Sequence, residues 1–262
     1  MVPRFQGLVS IGSMKTASER RELLKAVYHE ARVCVECHLH ETRTNVVFGS
    51  GNADAELMFI GEAPGANEDL QGLPFVGQAG KLLEKLLDEI GLERGDVFIA
   101  NTLKCRPPGN RDPYPHELEA CQHYLYSQLE LIQPTVVCTL GNFATKLLRG
   151  EPTGISKIHG QAEVRTVGPR AVRLYPLYHP AAALYTPSTL EMLRADFLRI
   201  PEILEMGPPA QPQSKGASPG GLEEPPDQPP EAAPRETPAP AETTPGLQPE
   251  APPTDSEQLG LF

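Results

Sequence analysis

The 262-residue sequence lacks any apolar run long enough to cross a bilayer, for which a helix needs about 20 apolar residues. Its N-terminus also lacks the charged segment followed by an apolar segment that marks a secretory signal. No internal repeat is visible, which argues against a repeat architecture. These absences argue against a membrane or secreted protein, and we expect a soluble protein in the cytoplasm.

The composition changes abruptly near Gly207. Residues 207–262 hold 15 of the 29 prolines, and nine acidic residues against only Lys215 and Arg235. Such a segment buries too little apolar surface to offset its ordering entropy, so we predict a disordered tail at 207–262. The tail carries −7 of the formal net charge of −11, which leaves −4 on residues 1–206. Overall acidity is therefore weak grounds for excluding a nucleic-acid partner.

Residues 1–206 are predicted to form one domain, apart from an unstructured start at 1–13. Apolar runs alternate there with helical patterns, which favours a three-layer α/β/α sandwich around a mainly parallel central sheet. The predicted strands are Leu57–Ile60, Val97–Ala100, Val136–Leu140, Ala162–Val167 and Val172–Leu177. The predicted helices are an N-terminal helix followed by Gln78–Ile90, Glu117–Ile132, Phe143–Leu148 and Thr189–Leu204.

Four of the five cysteines are predicted to bind a metal. Cys34 and Cys37 form a C-x-x-C pair, and Cys105 and Cys121 follow far downstream. A cytosolic protein keeps its thiols reduced, so metal ligation explains this quartet better than disulfides do. The residue types leave both zinc and an iron–sulfur cluster open. Cys138 lies in an apolar run typical of a buried strand, so we exclude it from the site.

Three predicted strands are each followed by residues that suit a binding site. Gly-Glu-Ala-Pro-Gly at 61–65 follows the first strand, Asn101 the second, and His179-Pro180 the last. Ligands of open α/β sheets gather at the carboxyl ends of the strands. Each feature alone is ordinary turn chemistry, but the three together predict a site at this edge of the sheet.

The sequence resembles the family 4 uracil-DNA glycosylases over roughly residues 31–200. The resemblance rests on the cysteine quartet and on three segments in matching order and spacing. These are GEAPGANEDLQGLPFVGQAG at 61–80, NTLKC at 101–105 and HPAAAL at 179–184. It implies a DNA-repair hydrolase that releases uracil and leaves an abasic site.

The resemblance assigns the reading of the base to three residues. Phe75 corresponds to the residue that stacks on the uracil ring. Asn101 corresponds to the residue whose carboxamide accepts from N3–H and donates to O4, a pattern that rejects cytosine. His179 corresponds to the histidine that donates a hydrogen bond to O2 of the departing uracil.

The first motif supplies the remaining predicted uracil-site residues. Glu62 corresponds to the carboxylate that stabilises the sugar cation or orients the attacking water. Gly61 and Ala63 flank it, and Ala63 replaces an aspartate found in other uracil glycosylases, so the group that activates the water stays open. Glu68 corresponds to the side chain that excludes the 5-methyl group of thymine.

The resemblance also implies a cofactor and a DNA-binding face. The quartet is expected to hold a structural [4Fe-4S] cluster that ties the N-terminal helix to the loop after Asn101. Lys104, Arg106 and Arg111 are candidates for contacts with DNA phosphates. Leu184 is the candidate tip of an apolar wedge into the base stack.

The last five residues, Gln258-Leu259-Gly260-Leu261-Phe262, resemble the Q-L-x-L-F peptide that docks on the bacterial sliding clamp. Leu259, Leu261 and Phe262 would be the apolar anchors and Gln258 the polar one. Such tethering would raise the local concentration of a monomeric, nucleoid-associated enzyme near replicating DNA.

Two other functions remain open from the sequence. One is a uracil-DNA binding protein that traps its substrate covalently without turnover. Proteins of that type have a G-E-Q-P-G first motif and an inserted basic loop. Ala63 and the short segment 106–115 disfavour it. The other is an iron–sulfur interaction module at the replisome with a vestigial pocket.

Overall fold

The computed structural model describes residues 15–212, so the predictions for 1–13, for most of the tail and for the peptide 258–262 fall outside the described residues. The α-helices of this part are Ala17–Arg32 (α1), Ala66–Gln71 (α2), Gln78–Asp88 (α3), Pro115–Ile132 (α4), Asn142–Arg149 (α5), Pro180–Ala183 (α6), Pro187–Phe197 (α7) and Ile200–Glu205 (α8). The strands are Ser50–Gly51 (β1), Leu57–Gly61 (β2), Phe98–Asn101 (β3), Val136–Leu140 (β4), Glu163–Val167 (β5) and Arg170–Leu177 (β6). Between residues 15 and 212 no helix is long and apolar enough to cross a membrane.

Six strands form one sheet in the order β1-β3-β2-β4-β6-β5. The four central strands are parallel, and both edge strands, β1 and β5, pair antiparallel with their neighbours. Gly61 pairs with Asn101, and Leu140 pairs with Leu177. The carboxyl ends of the central strands therefore meet at one edge of the sheet, where a ligand site is expected in folds of this kind.

Two apolar cores cover the two faces of the sheet. Along β2, Met58 and Ile60 pack into one core, which also takes up residues of α1, α4 and α5. Leu57 and Phe59 alternate with them and enter the other core, which includes residues of α3, α7 and α8. Burial on both faces explains why β2, β3 and β4 are nearly continuous apolar runs. The predicted three-layer α/β/α architecture is confirmed.

The N-terminal helix begins at a side-chain cap. The Oγ1 of Thr16 accepts from the N–H of Glu19 at 3.3 Å, and the Glu19 carboxylate accepts from the N–H of Thr16 at 2.7 Å. This reciprocal pair satisfies two N–H groups that have no partner within the helix. The helix ends at Arg32, two residues before the first predicted metal ligand, so the cap fixes the element that delivers Cys34.

The structure corrects the predicted closing helix at Thr189–Leu204. It consists of α7 and α8, separated at Leu198 and Arg199. Pro201 has no N–H to continue the helical hydrogen bonding, so the helix breaks just before it. The short elements β1, α2 and α6 were not predicted. The bounds of β4 were predicted as observed, and the other predicted elements differ from the observed bounds by one or two residues.

Candidate active site and cysteine centre

The residues predicted at three strand ends lie around one cavity of about 420 Å³. Its lining includes six of the seven predicted uracil-site residues, namely Glu62, Ala63, Glu68, Phe75, Asn101 and His179. Gly61 lies directly beneath them: a Cβ there would be 2.9 Å from the Phe75 ring and still closer to the Asn101 carboxamide. The cavity is large enough for a flat heterocycle, and glycine at position 61 keeps its floor open.

Asn101 presents its carboxamide to the cavity without a partner in the protein. The residue is 2 % exposed, yet its side chain makes no hydrogen bond to any residue between 15 and 212. Its main-chain carbonyl is held by the Nζ of Lys104 at 2.8 Å. A carboxamide that lines a cavity and has no hydrogen-bond partner in the described protein is available to pair with a ligand.

His179 is held as a neutral hydrogen-bond donor. Its Nδ1 accepts from the N–H of Ala181 at 3.1 Å, so the proton of the neutral ring resides on Nε2. Burial lowers the pKa of His179 to about 4, with the nearby Glu68 carboxylate opposing the shift. Gly141, with φ of 92°, allows the close approach of this residue, since a Cβ there would lie 3.0 Å from the His179 Cβ.

Glu62 lies where the cavity opens into a wider groove. This groove, of about 750 Å³, shares Glu62 and His179 with the first cavity and continues along Asn142 and Lys146 of α5. The backbone of Glu62 is fixed, because its carbonyl accepts from the N–H of Leu103 at 3.1 Å. Burial, and then the neighbouring charge of Asp112, raise the pKa of the Glu62 carboxyl. Glu62 therefore lies at the junction between the cavity and the groove.

Phe75 has a left-handed backbone conformation, with φ of 53°. Its ring centroid is 5.7 Å from that of His179, with 27° between the ring planes. Glu68 supports the adjacent turn: its Oε1 accepts from the N–H groups of Val76 at 3.0 Å and Gly77 at 3.1 Å. One carboxylate oxygen predicted to face the base is thus engaged with the backbone.

The four predicted metal ligands surround a separate small cavity. Its lining includes Cys34, Cys37, Cys105 and Cys121, and Cys138 is buried apart from them in β4. None of the five cysteines is in a disulfide. The Arg43 guanidinium donates to the Cys105 sulfur at 3.3 Å, and the N–H of Lys104 donates to the Cys121 sulfur at 3.3 Å.

These surroundings fit a metal centre. Burial raises the pKa of Cys121 to about 12, and burial also raises the pKa values of Cys37 and Cys105. Buried thiolates therefore need a compensating cation, and four sulfurs with N–H donors around them are the ligand set of structural zinc and iron–sulfur sites. The quartet is thus suited to hold such a group.

The structure corrects one of the predicted DNA contacts. Lys104 is 1 % exposed, and its Nζ donates to the carbonyl of Asn101 and, at 2.7 Å, to Oε1 of Gln128. A side chain buried in this way cannot reach a phosphate, so the prediction for Lys104 was wrong. Residues 101–105 are all buried, which could not be read from a loop sequence that contains a lysine.

The other predicted DNA contacts lie at or near the surface. Arg106 is partly exposed and donates to Oδ1 of Asn110 at 2.7 Å. Arg111 lines the first cavity, stacks at 3.7 Å over the ring of Tyr114 and pairs with Glu117 at 2.6 Å.

Leu184 is 38 % exposed just after α6, and its neighbour Tyr185 is 87 % exposed. Tyr185 was not predicted to have a role, although it is the most exposed large side chain in that part of the chain. The sequence signal was present, since an aromatic residue directly follows the predicted wedge.

Comparisons with known protein sequences show which proteins this chain is similar to. A sequence family described as "Uracil DNA glycosylase superfamily" matches residues 48–200. A "Type-4 uracil-DNA glycosylase" of Archaeoglobus fulgidus is 49% identical over 187 residues, which cover 70% of this chain and 94% of that protein. The protein of the same name from Thermotoga maritima is 44% identical over 166 residues, 63% of this chain and 85% of that protein. A "Type-5 uracil-DNA glycosylase" of Pyrobaculum aerophilum is 33% identical over 149 residues, 50% of this chain and 63% of that protein.

Proposed function

The chain belongs to the uracil DNA glycosylase superfamily and, within it, to the type-4 enzymes, and on this basis we propose that it repairs DNA by hydrolysing the N-glycosidic bond of deoxyuridine. Free uracil and an abasic site are the products. The observation that carries the proposal is the one cavity that an aromatic ring from the turn before α3 shares with a carboxylate, a carboxamide and a neutral imidazole from three strand ends. A base must leave the stack to enter such a cavity.

Asn101 and Phe75 are proposed to select uracil. The carboxamide accepts from N3–H and donates to O4 of uracil. Cytosine would place its exocyclic amine, a donor, opposite the N–H₂ group of Asn101 and leave buried polar groups unpaired. Rejection on this basis is strong because the unpaired groups are desolvated. The Phe75 ring stacks on the face of the base and adds affinity that does not depend on its exocyclic groups.

His179 and Glu62 are proposed to assist cleavage. As the C1′–N1 bond breaks, its electron pair leaves with uracil, and the Nε2–H of His179 donates to O2, where negative charge develops. Glu62 stabilises the positive character at C1′ and orients the water whose oxygen forms the new bond to C1′. The water gives up one proton, which neutralises the departing uracil anion directly or through solvent. Ala63 has no side-chain group for this task.

We further propose that Cys34, Cys37, Cys105 and Cys121 hold a [4Fe-4S] cluster with a structural role. When bound, such a cluster supplies metal–thiolate bonds that cross-link distant segments of the chain, and the hydrolysis needs no electron transfer. Anaerobically purified protein should be brown, with iron and acid-labile sulfide in equal amounts. Stoichiometric zinc in a colourless protein would favour the other centre left open by the residue types.

Contacts with DNA and the clamp complete the proposal. Arg106 and Arg111 are proposed to meet phosphates, and Leu184 to enter the base stack. Residues 258–262 are proposed to bind the bacterial sliding clamp, which a pull-down with purified clamp would test by comparing the full chain with a chain ending at residue 257.

The activity is tested by incubating the protein with a labelled duplex that contains one uracil. Release of free uracil over many turnovers, and strand scission at the abasic site after alkali, would support the enzyme. A shifted band on a denaturing gel without uracil release would instead identify the covalent trap. Cytosine and thymine duplexes serve as controls, and neither should be cleaved.

A further inference from the structure

Phe75 has the least expected backbone conformation in the described part of the chain. Three residues other than glycine between 15 and 212 have positive φ, namely Phe75, Asn110 and Gln133. Asparagine adopts this region readily, and Gln133 ends α4 as its C-cap. An aromatic residue with φ of 53° is strained, and strain of this kind persists only where surrounding groups fix it.

Two oppositely charged side chains hold the turn on either side of Phe75. The Arg94 guanidinium donates to the carbonyl of Phe75 at 3.2 Å and to the carbonyl of Pro74. From the other side, Oε1 of Glu68 accepts from the N–H groups of Val76 and Gly77. Four successive residues thus have a backbone group engaged by a charged side chain, and such hydrogen bonds are stronger than neutral ones.

Close packing under the turn leaves it no room to relax. Gly80, in the first turn of α3, lies against the backbone of Phe75, and a Cβ at this position would overlap with the Phe75 carbonyl. The position of the ring therefore depends on contacts made by the backbone of residues 74–77. None of these contacts involves the substrate cavity directly, except that Glu68 also lines it.

We propose that Arg94 and Glu68 form a two-sided clamp that positions Phe75 as the stacking platform for the extruded base. Arg94 is a positioning residue in this scheme: it is not in the cavity lining, and it acts through the backbone of Pro74 and Phe75. The inference rests on the proposed function, because the platform has a purpose only if a base enters the cavity. It also gives Glu68 a backbone-holding role in addition to any contact with the base.

The clamp predicts a specific kinetic signature for Arg94→Gln. Phe75 contacts the base before and during cleavage, so loosening it removes binding common to both states and raises KM while kcat changes little. We expect a rise in KM of about tenfold, the size of losing one good stacking contact. Binding should weaken equally for a duplex that contains 2′-fluoro-2′-deoxyuridine, whose fluorine suppresses cleavage. Arg94→Lys keeps the charge but loses the two-pronged geometry, so it should recover only part of the loss.

A double-mutant cycle separates positioning from general stability. If Arg94 acts through Phe75, then Arg94→Gln should weaken binding in the wild-type background and have almost no further effect in a Phe75→Ala background. Arg194→Gln is the matched control, since Arg194 makes two hydrogen bonds to Glu89 on the surface and none near residues 74–77. It should leave KM unchanged.

Each outcome of the cycle is decisive. Equal losses from Arg94→Gln in both backgrounds, or a loss in kcat alone, would overturn the clamp. If Arg94→Gln does not fold, Arg94→Lys and Gly80→Ala disturb the same turn from two sides and must show the same dependence on Phe75. Absence of uracil release by the wild-type protein would refute the proposed function instead, and binding to the fluorinated duplex would still report on Arg94.

Discussion

The base cavity and the cysteine centre are both buried polar clusters, but they treat their polar atoms in opposite ways. In the cavity lined by Glu62, Phe75, Asn101 and His179, called the base cavity below, no side-chain hydrogen bond of Asn101 is found within residues 15–212, and His179 uses its Nδ1 to accept from the N–H of Ala181. In the cysteine centre, the sulfurs of Cys105 and Cys121 are already approached by N–H donors. Polar groups that line a cavity without a protein partner suit a substrate that binds and leaves, whereas sulfurs that already accept N–H donors suit a resident metal.

One short segment belongs to both regions. Asn101 and Cys105 are four residues apart, and Lys104 between them donates its Nζ to the Asn101 carbonyl and its N–H to the Cys121 sulfur. Damage to the cysteine centre can therefore reach the base cavity through the backbone. In the opposite direction we expect no such effect: changes in the cavity should lower activity and leave the cysteine centre intact.

His179→Ala should give the largest loss of activity. It removes a donor to the charge that develops on uracil O2, which typically costs about 10²–10³-fold in kcat. The absorbance of the proposed cluster and the thermal stability should stay close to wild type, because within residues 15–212 the ring makes one hydrogen bond, from the N–H of Ala181. Single-turnover cleavage of a uracil duplex measures the effect.

A matched histidine change provides the control for that measurement. His29→Ala alters an exposed side chain on α1 and should leave kcat unchanged. If His179→Ala instead unfolded the protein or bleached the cluster, the separation of the two regions would be wrong.

Gly61→Ala should come next, with a loss of about 100-fold in kcat/KM, since small displacements of catalytic groups have effects of this size. The added methyl group would press on the Phe75 ring and the Asn101 carboxamide and fill the cavity floor. Gly95→Ala is the control, because a Cβ there meets nothing within 4 Å. Equal activity in the two variants would show that uracil does not sit over position 61.

Cys121→Ser should lower the stability of the protein more than the activity of its folded fraction. Loss of one thiolate should abolish the visible absorbance and lower the free energy of unfolding by about 4 kcal/mol or more, as expected when a structural metal is lost. Activity of the fraction that stays folded should fall less than in the cavity variants, and urea titration with parallel assays measures both.

Cys138→Ala is the control for the cysteine variant. It removes a buried thiol that lies apart from the quartet in β4, so the absorbance should persist and only a packing loss of about 1 kcal/mol should appear. If Cys121→Ser kept its colour and stability, the quartet would not be the metal site.

Much of the fold was predictable because periodicity reports burial. The central strands are apolar runs buried on both faces, and their bounds were predicted within one or two residues. The break at Leu198 was missed although Pro201 signals it, because the apolar pattern continues across the proline. Strand β1 has only two residues, too few to give any period.

The site was predictable where chemistry follows strand ends and not where it depends on distant contacts. Asn101 and His179 were predicted to lie together because each directly follows an apolar run, and both line the same cavity. Arg94 was missed, since it is 19 residues from Phe75 in the sequence and looks like an ordinary loop cation. Lys104 was misassigned for the related reason that a lysine is rarely fully buried, and only the fold shows that its ammonium points inward.

The smallest expected effect is a shift in pH dependence. His179 stays neutral down to about pH 4, so kcat/KM should show no limb near the ordinary histidine value. Glu62 is proposed to act as the carboxylate, so its raised pKa should produce an acid limb above that of an ordinary glutamate, with activity falling as pH drops through it. Asp112→Asn removes the like charge that contributes to this shift, so the limb should move to lower pH while the plateau changes little. Asp88→Asn, at an exposed position, is the control and should not move the limb. If the limb also stayed in place in Asp112→Asn, Glu62 would not be the group whose titration causes it.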